Sequence, residues 1–568
     1  MGMKTKIEKI AYGFLILVFV FTQIVCRTLE TSGNMMWNVK SFLAVLGISF
    51  LCVIVFFFSI SLIRKIRKKF GIKITHKEKN DAKRNSGKMF FVSWSIIFVC
   101  WLPMFFAYYP GILAYDSYVQ IEQIMSGVYN NHHPLIHTFV VEAFMKIGES
   151  FGNMNLGVAL YTLIQMLSLS VSMATGVYIL DKRGGKRVWL WLLTLYFGLC
   201  PANGYMALSM TKDVFFTVFV LFFIYSLLHL LDEEQPHIMW SVAYVIVTTF
   251  MMMFRNNGRY AMLVFVGLAI VLLGLCFFVN KKKKEIVDKI NYKRIFSILG
   301  QTVVSLILSS VLLTAMANHV SAQEGDKREM LSIPIQQIAR SMIYHGGLDI
   351  VETDDATISE ADKSLINEFL LYNGYMNYNP IISDPVKRCT NTWVVLNKMK
   401  EFISMYMRLL LDYPEEYINA FLAVNGGYLS VLDESHSRVN LSEGVMGLGY
   451  LQTRWEESTI HTAGIYKDSK MPGLYEILEK FSSENSYLKI PVVRNLVAPG
   501  IYIWGFAILG IWTFFKREKK YQLPLFFVLG YYMTLLLGPT VQLRYLYPVM
   551  LLLPFVYLYI WRSKRLGM

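Results

Sequence analysis

The sequence predicts an all-α polytopic membrane protein of about twelve spanning helices, with one mainly α water-exposed domain inserted near its C-terminal end. Three observations predict it. Apolar residues come in uninterrupted runs of about 18–22, the length a helix needs to cross a ~30 Å hydrocarbon core. The composition agrees: 55% of the 568 residues are hydrophobic and 17% charged, where a soluble chain carries about a quarter charged. The basic residues gather in short segments between the runs, as the positive-inside rule requires.

Backbone groups in lipid must be satisfied within the segment, so the runs are read as helices. The first, Ile10–Cys26, follows Lys4, Lys6 and Lys9 and has no small-x-small cleavage site, which suits a retained signal anchor. With the N-terminus inside, the expected spans are 10–26, 41–63, 89–108, 155–180, 188–206, 214–231, 238–254, 260–279, 295–316, 497–515, 522–538 and 545–561. The basic segments Arg64–Lys88, Asp181–Arg187, Lys281–Arg294, Lys516–Lys520 and Arg562–Arg565 then all face the cytoplasm, where they meet anionic membrane lipids. This interleaving accounts for the net charge of +15 and argues against a nucleic-acid partner. Both termini are expected inside, and residues 317–496 outside.

Segment 109–154 is too polar to span, yet Ile112–Met125 and Leu135–Ile147 are amphipathic and suit helices lying on the membrane surface. Residues 317–496 are acidic and rich in Asn, Tyr and Gly. Helical periodicity runs from Glu401 to Val424, with Pro414 as a breaker, and from Gly473 to Phe481. Five of the six cysteines, Cys26, Cys52, Cys100, Cys200 and Cys276, lie in or beside apolar runs. Cys389 stands alone in the hydrophilic insert, and no Cys/His metal spacing occurs.

On this map the polar clusters lie at the external ends of spans. The loop YYPGILAYDSYVQ carries Asp116 and Gln120, and NNHHPLIHT adds His132, His133 and His137. PANGYMALSMTKD places Lys212 and Asp213 where the sixth span begins. FRNNGRY places Arg255, Asn256 and Asn257 directly after four apolar residues, and an arginine at membrane depth needs a partner or a wet cavity. GPTVQLRYLYP supplies Arg544 before the last span, and SIPIQQIAR supplies Arg340 beyond the ninth. Each has a plainer reading as helix cap, turn, snorkelling cation or domain surface. A histidine metal site is disfavoured because His132 and His133 are adjacent and Pro134 interrupts the step to His137. The sequence requires no cofactor, though Asp116 with Asp213 leaves a divalent ion, Mg or Mn, open.

These motifs resemble the GT-C superfamily of membrane glycosyltransferases. YPGILAYDSYVQ, SMTKDVFF, FRNNGRY, IPIQQIAR and RYLYP are also similar to a largely uncharacterised bacterial membrane family near that superfamily. The resemblance covers the chain from about residue 89 and implies four parts: residues 1–88 with two spans and a basic loop, a seven-span core over 89–316 with first external loop 109–154, the domain 317–496, and three spans over 497–568. It implies transfer of a sugar from a polyprenol-phosphate donor to an extracytoplasmic glycan, lipid or protein. Asp116 would be the general base, and Asp213 would support the acceptor or a metal. Lys212, Arg255, Asn256, Asn257, Arg340, Arg544, His132, His133 and Gln120 would bind substrate and phosphate. The paired acidic dipeptide of some branches is absent, Asp116 being followed by Ser117, and so is the WWD-type signature of oligosaccharyltransferases. The chemistry stands apart from the name: displacing a lipid phosphate needs a base for the incoming hydroxyl and cations for the leaving charge. Two other classes remain, a transporter or flippase of lipid-linked or small polar solutes, and a non-catalytic receptor or scaffold.

Overall fold

The computed structural model describes residues 6–35, 39–69, 85–113, 115–233, 236–282, 292–348, 358–431, 461–483, 486–515 and 519–563. Much of the basic segments Arg64–Lys88, Lys281–Arg294 and Lys516–Lys520 lies outside these residues. The described chain is nearly all-α. Eight of its helices are long and apolar enough to cross a membrane: α1 (Lys6–Ser32), α2 (Val39–Lys69), α3 (Ser86–Ala107), α6 (Met154–Lys182), α9 (Lys212–Asp232), α11 (Asn256–Lys282), α12 (Tyr292–His319) and α23 (Leu543–Ser563). That is the signature of a multi-pass membrane protein.

The other four expected spans are shorter helices. Residues 188–206 divide into α7 (Arg187–Leu199) and α8 (Pro201–Leu208), because Cys200 is extended and Pro201 opens a new helix. The rest are α10 (Ile238–Phe254), α21 (Pro499–Phe515) and α22 (Gln522–Leu535). The surface stretches form α4 (Tyr115–Ser126) and α5 (Leu135–Ser150), but Ile112 and Leu113 are strand rather than helix.

Helix α9 is apolar on all sides and is buried on nearly all of them, which makes it the axis of the bundle. Phe216, Leu221 and Phe223 of α9 share the main core with Trp101, Phe197, Phe527 and Leu546. In lipid such contacts gain little from water exclusion, so close packing has to hold the helices. Gly157 of α6 shows how close it becomes, since a Cβ there would sit 2.4 Å from the Phe144 carbonyl of α5. Helix α2 presents Phe42, Leu46, Phe50, Ile54 and Phe58 outward, as a lipid-facing helix would.

Each end of α9 carries an ion cluster. At its C-terminus Asp232 accepts from Lys520 Nζ (2.7 Å), Arg183 Nη1 (2.9 Å), Tyr521 (2.9 Å) and Tyr559 (2.7 Å). Arg183 and Lys520 come from two of the segments expected to face the cytoplasm. The candidate site lies at the opposite end.

The described residues of the hydrophilic insert form two parts. Helices α13 (Ser332–His345), α14 (Glu360–Phe369), α15 (Asp384–Arg388), α16 (Thr392–Asn397), α17 (Met399–Asp412) and α18 (Pro414–Leu429) surround a second core that includes Ile335, Ile338, Phe369, Val395, Phe402, Met405 and Tyr417. Pro414 opens α18, where its missing N–H costs nothing. Residues 461–483 and 486–496, with α19 (Pro472–Ser483) and α20 (Pro491–Leu496), instead lie along the bundle. There Lys470 N donates to Phe106 O at 2.8 Å, and Ala463 and Ile465 enter a core with Leu113, Tyr118 and Tyr161.

Candidate anion-binding ion cluster

Two short parallel strands place the site. β1 (Ile112–Leu113) pairs with β2 (Ser209–Met210), Ile112 opposite Ser209 and Leu113 opposite Met210. Each strand ends just before a helix begins, β1 before α4 and β2 before α9, so the register sets the two helix starts side by side. Gln165 of α6 holds β2 from beneath by donating to the Ala207 and Ser209 carbonyls at 2.9 and 2.7 Å. Ser117 at the start of α4 donates to Met210 O at 2.5 Å. Gly111 fits against Thr162, whose Oγ1 a Cβ would meet at 2.3 Å.

This register brings Lys212 Nζ to 2.7 Å from Asp116 Oδ2. Arg544, in the first turn of α23, reaches the same oxygen through Nη1 at 3.2 Å. Its Nε donates to Gln542 at 2.6 Å and lies 3.9 Å from Asp213 Oδ2. Arg255, between α10 and α11, forms an ion pair with Asp213 Oδ1, and Thr211 donates to Oδ2 at 3.1 Å. The Arg255 guanidinium also stacks on the Tyr545 ring, 4.5 Å from its centroid. The starts of α4, α9, α11 and α23 therefore converge on one interlocked group.

The two carboxylates differ in access. Asp213 is fully buried, while Asp116 keeps 13% and Lys212 15% of their side-chain surface. Asp213 therefore orients Arg255 and Arg544, and the reachable carboxylate is Asp116. Burial alone would raise the Asp116 pKa, but Arg544 and Lys212 outweigh it and hold the group well below the carboxylate range. Three cations face two carboxylates, which leaves one positive charge in excess. A donor set already engaged with cations is a poor fit for Mg or Mn, whereas an anion suits the excess charge.

His133 extends the group, its Nδ1 3.0 Å from Lys212 Nζ. The ammonium can only donate, so Nδ1 accepts and Nε2 carries the ring proton. Burial and then Lys212 push the His133 pKa well below the imidazole value. His132 stacks edge-on against His133 with 4.6 Å between centroids, and its pKa is lowered mainly by burial. Glu329 and Lys387 of the insert share its electrostatic environment and pair with each other at 2.7 Å. Gln120 lies one layer deeper. With Tyr161 it flanks the ring nitrogens of His137, at 2.8 and 2.7 Å, and burial brings the His137 pKa down to about 3.

The structure thus joins Asp116, Lys212, Asp213, Arg255, Arg544 and His133, with His132 and Gln120 beside them. Three expected residues are placed elsewhere. Arg340 is not free for a phosphate headgroup: it is fully buried in the insert, donating to Glu416 at 2.7 Å, Tyr378 at 3.1 Å, the Gly33 carbonyl at 2.9 Å and Asn34. Its helix α13 is apolar on one side, and Ile335, Ile338 and Met342 bury the arginine against the second core. Asn257 donates to Thr534 at 3.1 Å, and Asn256 is exposed on α11. Thr211, Gln542 and Tyr545 were missed, having no charge to mark them. Gln165 had a signal, since a polar amide within an apolar span is uncommon.

Residues 124–567 match a family described as a family of unknown function (DUF6020). The chain belongs to this family. The matched region contains every member of the ion cluster except Asp116, which lies shortly before it. No curated protein and no solved structure matches the chain.

Proposed function

We propose that the chain is a membrane glycosyltransferase of GT-C type, with about twelve spans, that moves a sugar from a polyprenol-phosphate donor to an acceptor hydroxyl on the extracytoplasmic side. The observation that carries this reading is the excess positive charge gathered around one reachable carboxylate, at the end of α9 away from the basic segments. Cytoplasmic nucleotide sugars are absent from that side, so a donor there has to be lipid-borne. The insert is tied to the same end, with Ser383 N donating to Pro539 O at 2.9 Å and Thr540 to Ile381 O at 2.9 Å, and it would shape the acceptor site.

The residues divide the work as follows. Lys212 and Arg544 hold the donor phosphate and stabilise the charge that grows on it as the glycosidic bond breaks. In doing so they turn away from Asp116, whose basicity rises just when the acceptor hydroxyl must lose its proton. Asp213 keeps Arg255 and Arg544 in place without touching substrate. The test is Asp116→Asn, with membranes assayed for glycan transfer and surface glycans compared by mass spectrometry with and without the chain. Loss of transfer by roughly 10²–10⁴-fold is expected for a general base; full transfer by a correctly folded variant would sink the reading.

The transporter reading asks for polar groups at mid-membrane in broken helices. The charged groups of this site sit instead at helix starts, which favours chemistry at the surface.

A further inference from the structure

Helix α11 lies along α22 and meets α12 only lightly, which leaves a groove of about 580 Å³ between α11 and α12. Leu263, Val303, Leu306, Ile307 and Val311 form its apolar walls, and Asn256 and Arg259 line it in the first turn of α11. Residues 303–311 give the wall a height of ~12 Å along α12. Arg259 Nη2 donates to Ser310 Oγ at 2.9 Å, while the Ser310 hydroxyl donates to Leu306 O at 2.8 Å. The hydroxyl thereby orients the guanidinium but cannot neutralise it. Among the described residues Arg259 has no carboxylate partner. It also sits at a helix N-terminus, where the macrodipole adds further positive charge.

We infer that this groove is a binding site for an anionic phospholipid of the outer leaflet, with its phosphate on Arg259 and an acyl chain against the α11–α12 walls. Charge complementarity selects the headgroup: a guanidinium of five donors, one of them used, presents the rest to phosphate oxygens. The apolar wall below suits a chain and not a free ion. Position gives the site its consequence. Asn256 follows Arg255 directly, so a lipid that fills the gap between α11 and α12 steadies the helix start from which Arg255 reaches Asp213. The inference does not depend on the glycosyltransferase reading.

The experiment uses the full chain in nanodiscs of phosphatidylcholine with a minor share of phosphatidylglycerol, and reads bound lipid by native mass spectrometry. The wild-type protein should retain phosphatidylglycerol in preference to phosphatidylcholine. Arg259→Gln should lower that preference about tenfold or more, Arg259→Lys should keep part of it, and Leu263→Trp should lose the adduct by filling the groove. Thermal unfolding of each variant shows whether it is folded, and Leu263→Trp keeps the test open should Arg259→Gln not fold. Equal retention of both lipids by the wild-type protein, or an unchanged preference in Arg259→Gln, overturns the inference. So does displacement of phosphatidylglycerol by millimolar inorganic phosphate, which would mark a free-anion site, or by equimolar polyprenyl phosphate, which would assign the groove to the carrier lipid.

Discussion

Asp116 and Asp213 are both carboxylates in the first turn of a helix, where the macrodipole favours them. Their surroundings separate them. Asp213 is sealed with Arg255, so Asp213→Ala leaves a buried guanidinium uncompensated. The expected loss is about 3–5 kcal/mol of stability, read as a lower thermal midpoint in detergent, whereas Asp116→Asn should unfold close to the wild-type temperature and fail in transfer. A large stability loss in Asp116→Asn and none in Asp213→Ala would reverse the two roles. The histidines make a second prediction at this scale. His132, His133 and His137 all have depressed pKa values, so they are neutral in the fold while the unfolded chain takes up protons near ~6.5. Their contribution is complete above that pH and declines as the pH falls below it. The thermal midpoint should therefore be level at neutral pH and drop in mild acid, and His137→Gln should reduce the drop. A midpoint that rises on acidification would contradict neutral, buried imidazoles.

Among the elements, the β1–β2 pair has the greatest effect for its size. Four residues in parallel register place Asp116 beside Lys212 from positions far apart in the chain. Gly111→Ala would drive a Cβ into Thr162 and push β1 out of register. Transfer should fall at least about tenfold, the cost of a misplaced catalytic group, with helical circular dichroism unchanged. Whatever transfer returns on adding Thr162→Ala measures the clash, and what stays lost measures the positive φ of Gly111 (155°), which an alanine adopts only with strain; full transfer by Gly111→Ala alone would show that neither constraint matters. The helices themselves were far more legible than this pair. Apolar runs marked α3, α6, α9, α11 and α12, and Pro414 marked the division between α17 and α18. Two-residue strands carry no periodicity of their own, and Ile112–Leu113 read as the start of an amphipathic helix because its apolar residues serve either pattern.

For the whole molecule, the testable matter is orientation. Arg183 and Lys520 gather on Asp232 at one end of α9, and the Asp116–Lys212–Asp213 cluster occupies the other. In a cysteine-free background, a cysteine at Tyr372, which is 93% exposed in the insert, should react with an impermeant maleimide on intact cells. A cysteine at Lys186 should react only after permeabilisation. The reverse pattern would put the cluster in the cytoplasm and remove the case for a lipid-borne donor. The insert itself also differs from expectation. Residues 317–496 read as one domain because they are hydrophilic, yet among the described residues only helices α13–α18 own a separate core, and 461–483 and 486–496 lie along the bundle.

What could be read from the chain alone was whatever repeats over tens of residues or is set by charge: membrane class, the positions of most helices, the choice of one end for the polar clusters, and the candidates Asp116, Lys212, Asp213, Arg255 and Arg544. Hydropathy and charge are summed along the chain, so they survive without knowledge of neighbours. Which candidates meet depends on contacts between distant segments, and only the fold supplies those. Arg340 and Arg544 look alike as sequence, each a cation beside an apolar stretch. Packing gave Arg340 to Glu416 inside a second core and Arg544 to Asp116 at the mouth of the bundle. Burial likewise made Asp213 a support and left Asp116 accessible, because exposure belongs to the assembled surface and not to the residue type.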